Sequence, residues 1–196
     1  SAMGEYHYYP PSGYTGNWHC PITDHGWRGP MWLITNAGER RVMEATKLRR
    51  NDLFDRNVLV TGEDDWSDYT VEVEMRVLDT SLSGELGFRY QNSRCYYALC
   101  LAAGQVKFLR RNHAETVELF ARAYEYNCDR FEQLKVECRG EEFHCYLNGR
   151  LVCTVRDTAF PRGKVALAAE TAVQFANLLV YTDAATVRRS RAERQR

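Results

Sequence analysis

Between residues 66 and 182 the chain alternates apolar and polar positions in short runs broken by Gly, Asn and Asp, with almost no helical periodicity. In the run 69–77, Tyr69, Val71, Val73, Met75 and Val77 alternate with Thr70, Glu72, Glu74 and Arg76. That period of two buries one face of a strand and leaves the other in water. The run 85–90 sets Leu86, Phe88 and Tyr90 opposite Glu85, Gly87 and Arg89, and the run 96–101 sets Tyr97, Leu99 and Leu101 opposite Tyr96, Ala98 and Cys100. Ala103-Gly104 supplies the turn into 106–110, so these runs read as consecutive hairpins. Leu134, Val136 and Cys138 lead through Arg139-Gly140 into Phe143, Cys145 and Leu147. Asn148-Gly149 is the strongest hairpin signal, because a type I′ turn needs positive φ at both central residues and Asn-Gly tolerates it. Runs 151–155, 164–169 and 175–181 complete an all-β, antiparallel pattern that predicts one two-sheet sandwich.

The first 65 residues are less regular. The stretch 41–48 alternates enough for a strand, and 57–60 reads as another. Around them, Tyr8, Tyr9, Tyr14, Trp18, Trp27 and Trp32 sit among Pro10, Pro11, Pro21 and Pro30, too aromatic for a disordered linker. This segment is expected to be an ordered coil wrapping the sandwich, its aromatic rings packing on a sheet edge or stacking on a ligand.

At 196 residues the chain suits a single sandwich. Ser1-Ala2-Met3 reads as an expression scar, which leaves one domain over 4–183 and a basic polar tail over 184–196 carrying Arg188, Arg189, Arg191, Arg194 and Arg196. The tail is expected as a solvated helix or linker. With 26 basic against 26 acidic residues, nothing favours a nucleic-acid backbone or an anionic membrane as partner. No apolar run approaches the roughly 18 residues that span a bilayer.

Seven cysteines, with no Cys-x-x-Cys pair, argue against a disulfide framework and against a zinc site. Free buried thiols are expected at Cys138, Cys145 and Cys153, with Cys95 and Cys100 on opposite strand faces; pairing of Cys20 with a core cysteine stays open. Reduced thiols lean towards a reducing compartment, which is otherwise unspecified.

The order Trp66-Ser67-Asp68-Tyr69-Thr70-Val71-Glu72, Gly87-Phe88-Arg89-Tyr90 and Cys95-Tyr96-Tyr97-Ala98-Leu99 resembles the concanavalin A-like jelly rolls of the laminin-G and family 66 carbohydrate-binding type. Asn148-Gly149-Arg150, the turn at Asp157 with the following Gly163-Lys164-Val165-Ala166-Leu167, and the closing Phe175-Ala176-Asn177-Leu178-Leu179-Val180 continue the resemblance across about two-thirds of the chain. Ala166 stands where that group often has Gly, and Phe131 where it often has Trp. The resemblance implies a jelly roll that binds a glycan on the concave outer face of one sheet, as an accessory module joined to a catalytic domain on the same parent chain.

On strict alternation the outward positions are Glu85, Arg89, Tyr96, Arg110 and Glu170, with Lys107 less regular. Arg89 leads this set. Its guanidinium fork suits vicinal hydroxyls or a uronate, and modules of this type often carry Arg here; the bland alternative is an ion pair with Glu85 or Glu170. Tyr96 offers a ring for stacking, and Trp27 and Trp32 are candidates for a groove wall. An enzyme is the competing reading. Glycoside hydrolysis needs two carboxylates about 5–10 Å apart, for which Glu85 and Glu170 are the candidate pair, whether in a glycosidase or a 3-keto-disaccharide hydrolase-like protein. His113 and His144 are read as surface residues, and no nucleophile elbow, phosphate loop, zinc-protease helix or nucleotide fingerprint is present. A structural or protein-interaction domain is the third reading, marked by an apolar concave face. No cofactor is expected beyond a structural calcium at Asp157 or at Asp64 and Asp65.

Overall fold

The computed structural model describes residues 2–5, 18, 32–45, 56–170 and 172–194. The strands described are β1 (Ala2–Glu5), β2 (Trp32–Ala37), β3 (Arg40–Ala45), β4 (Asn57–Thr61), β5 (Tyr69–Val77), β6 (Gly84–Asn92) and β7 (Cys95–Ala102), then β8 (Gln105–Asn112), β9 (Glu115–Ala123), β10 (Glu132–Arg139), β11 (Glu142–Leu147), β12 (Arg150–Arg156), β13 (Lys164–Ala169) and β14 (Val173–Tyr181). A single helix, α1 (Ala184–Arg194), follows them. One sheet runs β12-β11-β10-β5-β14-β3-β2, with β1 added on β14, and the other runs β4-β13-β6-β7-β8-β9. Both are antiparallel, and they pack as the two layers of the expected sandwich.

The core follows from the alternation. Val71, Val73 and Met75 of β5 face Leu86 and Phe88 of β6 and Tyr97, Leu99 and Leu101 of β7 across the layer boundary, all buried. At one end Phe88, Tyr97, Phe108 and Phe143 form a ring cluster spanning both sheets, with Tyr97 and Phe143 centroids 4.9 Å apart. Phe160 closes it at 5.1 Å from Tyr97. Rings of this size dominate the area removed from water, and such edge and tilted contacts add about 0.5–1.5 kcal/mol per pair.

Three of the described strands, β1, β2 and β9, escaped the periodicity. β9 is an edge strand with no buried face, so no selection for alternate apolar residues operates along it. β2 is short and only its Trp32 is buried. Of the expected strand at 41–48, residues 41–45 belong to β3 and the remainder lies outside the described residues, as do Tyr8, Tyr9, Tyr14, Cys20 and Trp27. β1 begins inside the stretch read as an expression scar and pairs with β14. The thiols of Cys138, Cys145 and Cys153 are free and buried, while Cys95 belongs to the main core and Cys100 to a cluster on the other side of its sheet.

The tail departs from expectation. Residues 184–194 form a helix with Thr186, Val187 and Ser190 buried, so this part packs on the sandwich instead of running free. Asp183 caps it: Thr186 N donates to Oδ1 at 2.9 Å and Thr186 Oγ1 to Oδ2 at 2.9 Å. Trp66 Nε1 then donates to Ser190 Oγ at 3.0 Å. Thr186 and Ser190 make most of this buried stripe and Val187 is its one apolar member among the described residues, which leaves little apolar signal in the sequence.

A bulge in β6 sets the geometry of everything near residue 89. Opposite β13, Ala166 pairs with Gly87 but Lys164 pairs with Tyr90, so β6 carries one extra residue. Arg89 takes φ +49° to accommodate it. The parity of β6 therefore flips: Glu85 and Gly87 face outward, Arg89 turns inward and Tyr90 returns to the outer face. Arg89 N donates to Tyr69 Oη at 2.8 Å, and Tyr69 Oη donates to Gly163 O at 3.2 Å, tying β5 of one sheet to β6 and the approach to β13 of the other. Burial pushes the Tyr69 phenol well above its ordinary pKa, so it remains a donor. Gly163 lies against the bulge with φ +151°, and a Cβ there would stand 2.5 Å from Tyr90 O.

Gly163→Ala is expected to destabilise the protein by about 2–4 kcal/mol through backbone collision and strain. Gly149→Ala, at φ +79° with nothing within 4 Å, should cost only the left-handed penalty of about 1–2 kcal/mol. Urea denaturation of both variants checks the difference; equal losses would remove the bulge contact as the cause.

Candidate functional site

The outer face of the six-stranded sheet carries a second buried cluster: Val58 and Val60 from β4, Ala166 and Ala168 from β13, Tyr90 from β6, Tyr96, Ala98 and Cys100 from β7, and Leu109 from β8. Its centre is built from small residues, Gly87, Ala98, Ala166 and Ala168. Gly87 is required because a Cβ there would stand 2.9 Å from Ala166 Cβ and 3.2 Å from Tyr96 Cδ2. Small side chains over three neighbouring strands make a low floor, and Tyr96 lies across it.

Around that floor stands a charged network. Glu85 is fully buried. One of its oxygens accepts from the Arg111 guanidinium and the other from Tyr96 Oη at 3.1 Å. Tyr96 Oη in turn accepts from Arg56 Nη1 at 3.2 Å. The Arg111 guanidinium lies 5.7 Å from the Tyr96 ring centroid, and the Tyr90 ring 5.5 Å from it. Burial, with Glu85 second, drives the Tyr96 phenol upward, while Arg111 and Arg56 oppose the shift too weakly to cancel it. Tyr96 therefore donates to Glu85 at any ordinary pH. Burial opposes the charge of Arg111, but Glu85 outweighs it and holds the guanidinium protonated. Cys100 is pushed well above its ordinary value by burial and then by Glu85, so it stays a neutral thiol.

Of the residues nominated from sequence, Glu85 and Tyr96 meet on this face, but both are buried and bonded to Arg111 and Arg56. Arg89 does not belong here. The bulge turns it inward, where it is buried and donates to Phe160 O at 3.1 Å and Gly140 O at 3.0 Å, so the expected ion pairs with Glu85 or Glu170 are absent and its neighbouring carboxylate is Asp68 at 3.7 Å. Arg110 shares the inward parity of Val106 and Phe108 and pairs with Asp157. Counting that period one residue further leads to Arg111, the direct cross-strand partner of Tyr96 and the residue that sequence reasoning missed. Glu170 follows β13, accepting from Ser83 N at 3.1 Å and closing the strand end through its own N–H to Ser83 O at 3.0 Å. Lys107 donates to Glu118 at 2.6 Å. Trp32 lies in the main core against Phe175, with centroids 5.9 Å apart, and so walls no groove; Trp27 is outside the described residues.

The calcium candidates have other partners. Asp157 accepts from Tyr97 Oη at 2.6 Å, Ala159 N at 3.0 Å and the Arg110 guanidinium. Asp64 faces Lys164 at 3.8 Å and Asp65 faces Arg189 at 3.5 Å. Among the described residues no group of three His, Cys, Asp or Glu side chains is placed to hold a metal. His113 is exposed at a hairpin tip, and His144 pairs with Glu142 at 2.8 Å on the other sheet.

No family model and no curated relative matches the chain. Solved structures do match its fold. The carbohydrate-binding module CBM66 from Bacillus subtilis superposes with a TM-score of 0.69 at 21% identity, covering 85% of this chain and 96% of that one. The Bacillus licheniformis β-glucanase gives 0.62 at 13% identity over 91% and 95%. The galectin LEC-6 of Caenorhabditis elegans gives 0.52 at 10% identity over 71% and 96%. The chain therefore has the jelly-roll sandwich of the concanavalin A-like type.

Removing Arg111 alone leaves Glu85 buried and short of a partner, so Arg111→Met should cost about 3 kcal/mol, whereas Arg111→Met with Glu85→Gln should recover much of that loss. A double-mutant cycle by urea denaturation tests it, and additive losses would dismiss the coupling. Asp157 supplies a pH test. Burial pushes its carboxyl up, but the Tyr97, Ala159 and Arg110 hydrogen bonds outweigh this and hold it below its ordinary 3.8. A depressed folded-state value contributes stability present above the ordinary value and lost as pH falls below about 4. Asp157→Asn should flatten the acid limb of the urea midpoint against pH in that window; an unchanged limb would exclude Asp157 as its source.

Proposed function

We propose that the protein is a carbohydrate-binding module that takes a glycan on the outer face of its six-stranded sheet, with the Arg111 and Arg56 guanidiniums contacting hydroxyls and with Glu85 and Tyr96 positioning them. The observation that carries this reading is a buried Glu85–Arg111–Tyr96 network on the side of the sheet away from the main core. A buried ion pair is a poor device for stability, because desolvation offsets most of its attraction. A rigid guanidinium held at the edge of a small-residue floor is, by contrast, suited to recognising a hydroxyl array. The fold's neighbours support the same class: they include a carbohydrate-binding module, a β-glucanase, a galectin and an alginate lyase.

Binding is favoured over cleavage because both oxygens of Glu85 are engaged by Arg111 and Tyr96, which leaves no free carboxylate face for general acid or nucleophilic work. The ion network favours it over a purely structural domain, whose concave face would be apolar throughout. We place the module beside a catalytic domain of the same parent protein.

The test is a glycan array on the purified chain followed by calorimetry on each hit, with product analysis alongside. Arg111→Lys keeps the charge facing Glu85 but loses the planar fork, so affinity should fall at least tenfold while the melting temperature moves little. Unchanged affinity would overturn the site. Products released by the wild type would replace the reading with an enzyme and bring Glu85 and Glu170 forward.

A further inference from the structure

A second candidate site lies on the other sheet. Three adjacent strands, β10, β5 and β14, meet at one rim, where β10 and β14 end and β5 begins. A cavity of about 470 Å³ opens there, lined by Asp68, Arg139, Tyr181, Thr182 and Asp183. That volume falls within the range of small-molecule pockets.

The lining is pre-organised. Asp68 Oδ1 accepts from Gly140 N at 2.9 Å, and Thr182 Oγ1 donates to the Asp68 backbone O at 2.8 Å, so one carboxylate oxygen and the backbone of Asp68 are both held. Behind it stands the buried guanidinium of Arg89, 3.7 Å away, itself anchored on Gly140 O and Phe160 O. Arg89 Nε has no hydrogen-bond partner among the described residues. The rim thus combines a positioned acceptor at Asp68, an exposed guanidinium at Arg139 and the half-buried ring of Tyr181. Asp183 is occupied by its cap to Thr186 and bounds the cavity without offering a free carboxylate.

We propose that this rim cavity is a second saccharide site, taking a neutral sugar residue. The choice follows by elimination from the lining. With Arg89 behind Asp68, two carboxylates stand against two guanidiniums, so the rim carries no net charge and offers no electrostatic preference for a uronate, sulfate or phosphate. The Arg139 guanidinium within the same cavity, and the lack of a third ligand, disfavour a metal cation. A neutral vicinal diol satisfies both charged groups: its hydroxyls donate to Asp68 and accept from Arg139, while Tyr181 presents ring surface to its C–H face. Arg89 acts here as a positioning residue for Asp68. The inference rests on the reading of the domain as a glycan binder, and two sites on one module would raise affinity for a polymer through effective concentration without any new contact.

The test is amide chemical-shift mapping of the isotopically labelled full chain with glucose, galactose, mannose, xylose, fructose and glucuronate in turn. At least one neutral sugar should shift the amides of Asp68, Gly140, Tyr181 and Thr182. Asp68→Asn and Arg139→Gln should each weaken that response at least tenfold, with unchanged shifts around Tyr96 and Arg111 and an unchanged melting temperature. Shifts confined to the outer face would overturn the rim site while leaving the proposed function standing. Rim shifts that survive both variants, or that favour glucuronate over neutral sugars, would overturn it as well. No shift anywhere with any sugar, together with a blank glycan array, would remove both readings.

Discussion

The rest of the structure depends on the polar staple around the β6 bulge. Tyr69 of one sheet takes the Arg89 N–H and gives its own hydrogen to Gly163 O, while the Arg89 guanidinium bonds Gly140 O and Phe160 O. Apolar packing between two sheets is non-directional and tolerates small sliding motions. Hydrogen bonds from one buried phenol and one buried guanidinium to named backbone groups do not. They fix the offset between layers at the end where the Phe88, Tyr97, Phe143 and Phe160 rings meet. Leaving any of these groups unpaired in such surroundings would cost about 1–3 kcal/mol each, so the staple forms as a unit.

The bulge also decides what each face of the six-stranded sheet can do. Without the extra residue, Arg89 would stand outward beside Gly87 and Tyr90 would enter the core. With it, Tyr90 joins Tyr96 on the outer face and the guanidinium is delivered to the sandwich rim behind Asp68. One inserted residue with positive φ thereby separates two polar regions that strict alternation would merge. The outer face keeps Glu85, Arg111 and Arg56; the rim receives Arg89, Asp68 and Arg139.

This explains how much was legible from residues alone. The period-two runs placed β5 to β8 and β10 to β14 because each has one face in the core, and burial enforces alternation. β9 was missed since its residues are all exposed or half-buried and no face of it enforces alternation, and the buried side of α1 was missed since Thr186 and Ser190 contribute hydrogen bonds and small volume, not hydrophobicity. Parity put Glu85 and Tyr96 on the outer face, where they lie, and misplaced Arg89. A bulge leaves no reliable trace in a single sequence: Phe88-Arg89-Tyr90 reads as ordinary strand, and the extra residue shows in the pairing of Lys164 with Tyr90 and the positive φ of Arg89. Arg111 was within reach, because Val106, Phe108 and Arg110 share one parity, and choosing Arg110 broke the count.

A recognition face of the kind proposed has to hold charged groups rigid without letting them collapse into the core. The outer face meets that requirement with unlike neighbours. Alanines and glycine on β13, β6 and β7 admit the Tyr90 and Tyr96 rings against the sheet, and the cluster they form is itself buried. Glu85 has its two oxygens taken by Arg111 and Tyr96, and Arg111 Nη1 also donates to Thr116 Oγ1 at 3.2 Å, so the carboxylate is satisfied within the network. A hydrophobic replacement would pack as well and cost less desolvation. That the chain places a carboxylate and two guanidiniums here, on a face the core does not need, is the physical ground for reading the surface as a recognition site and not as a by-product of folding.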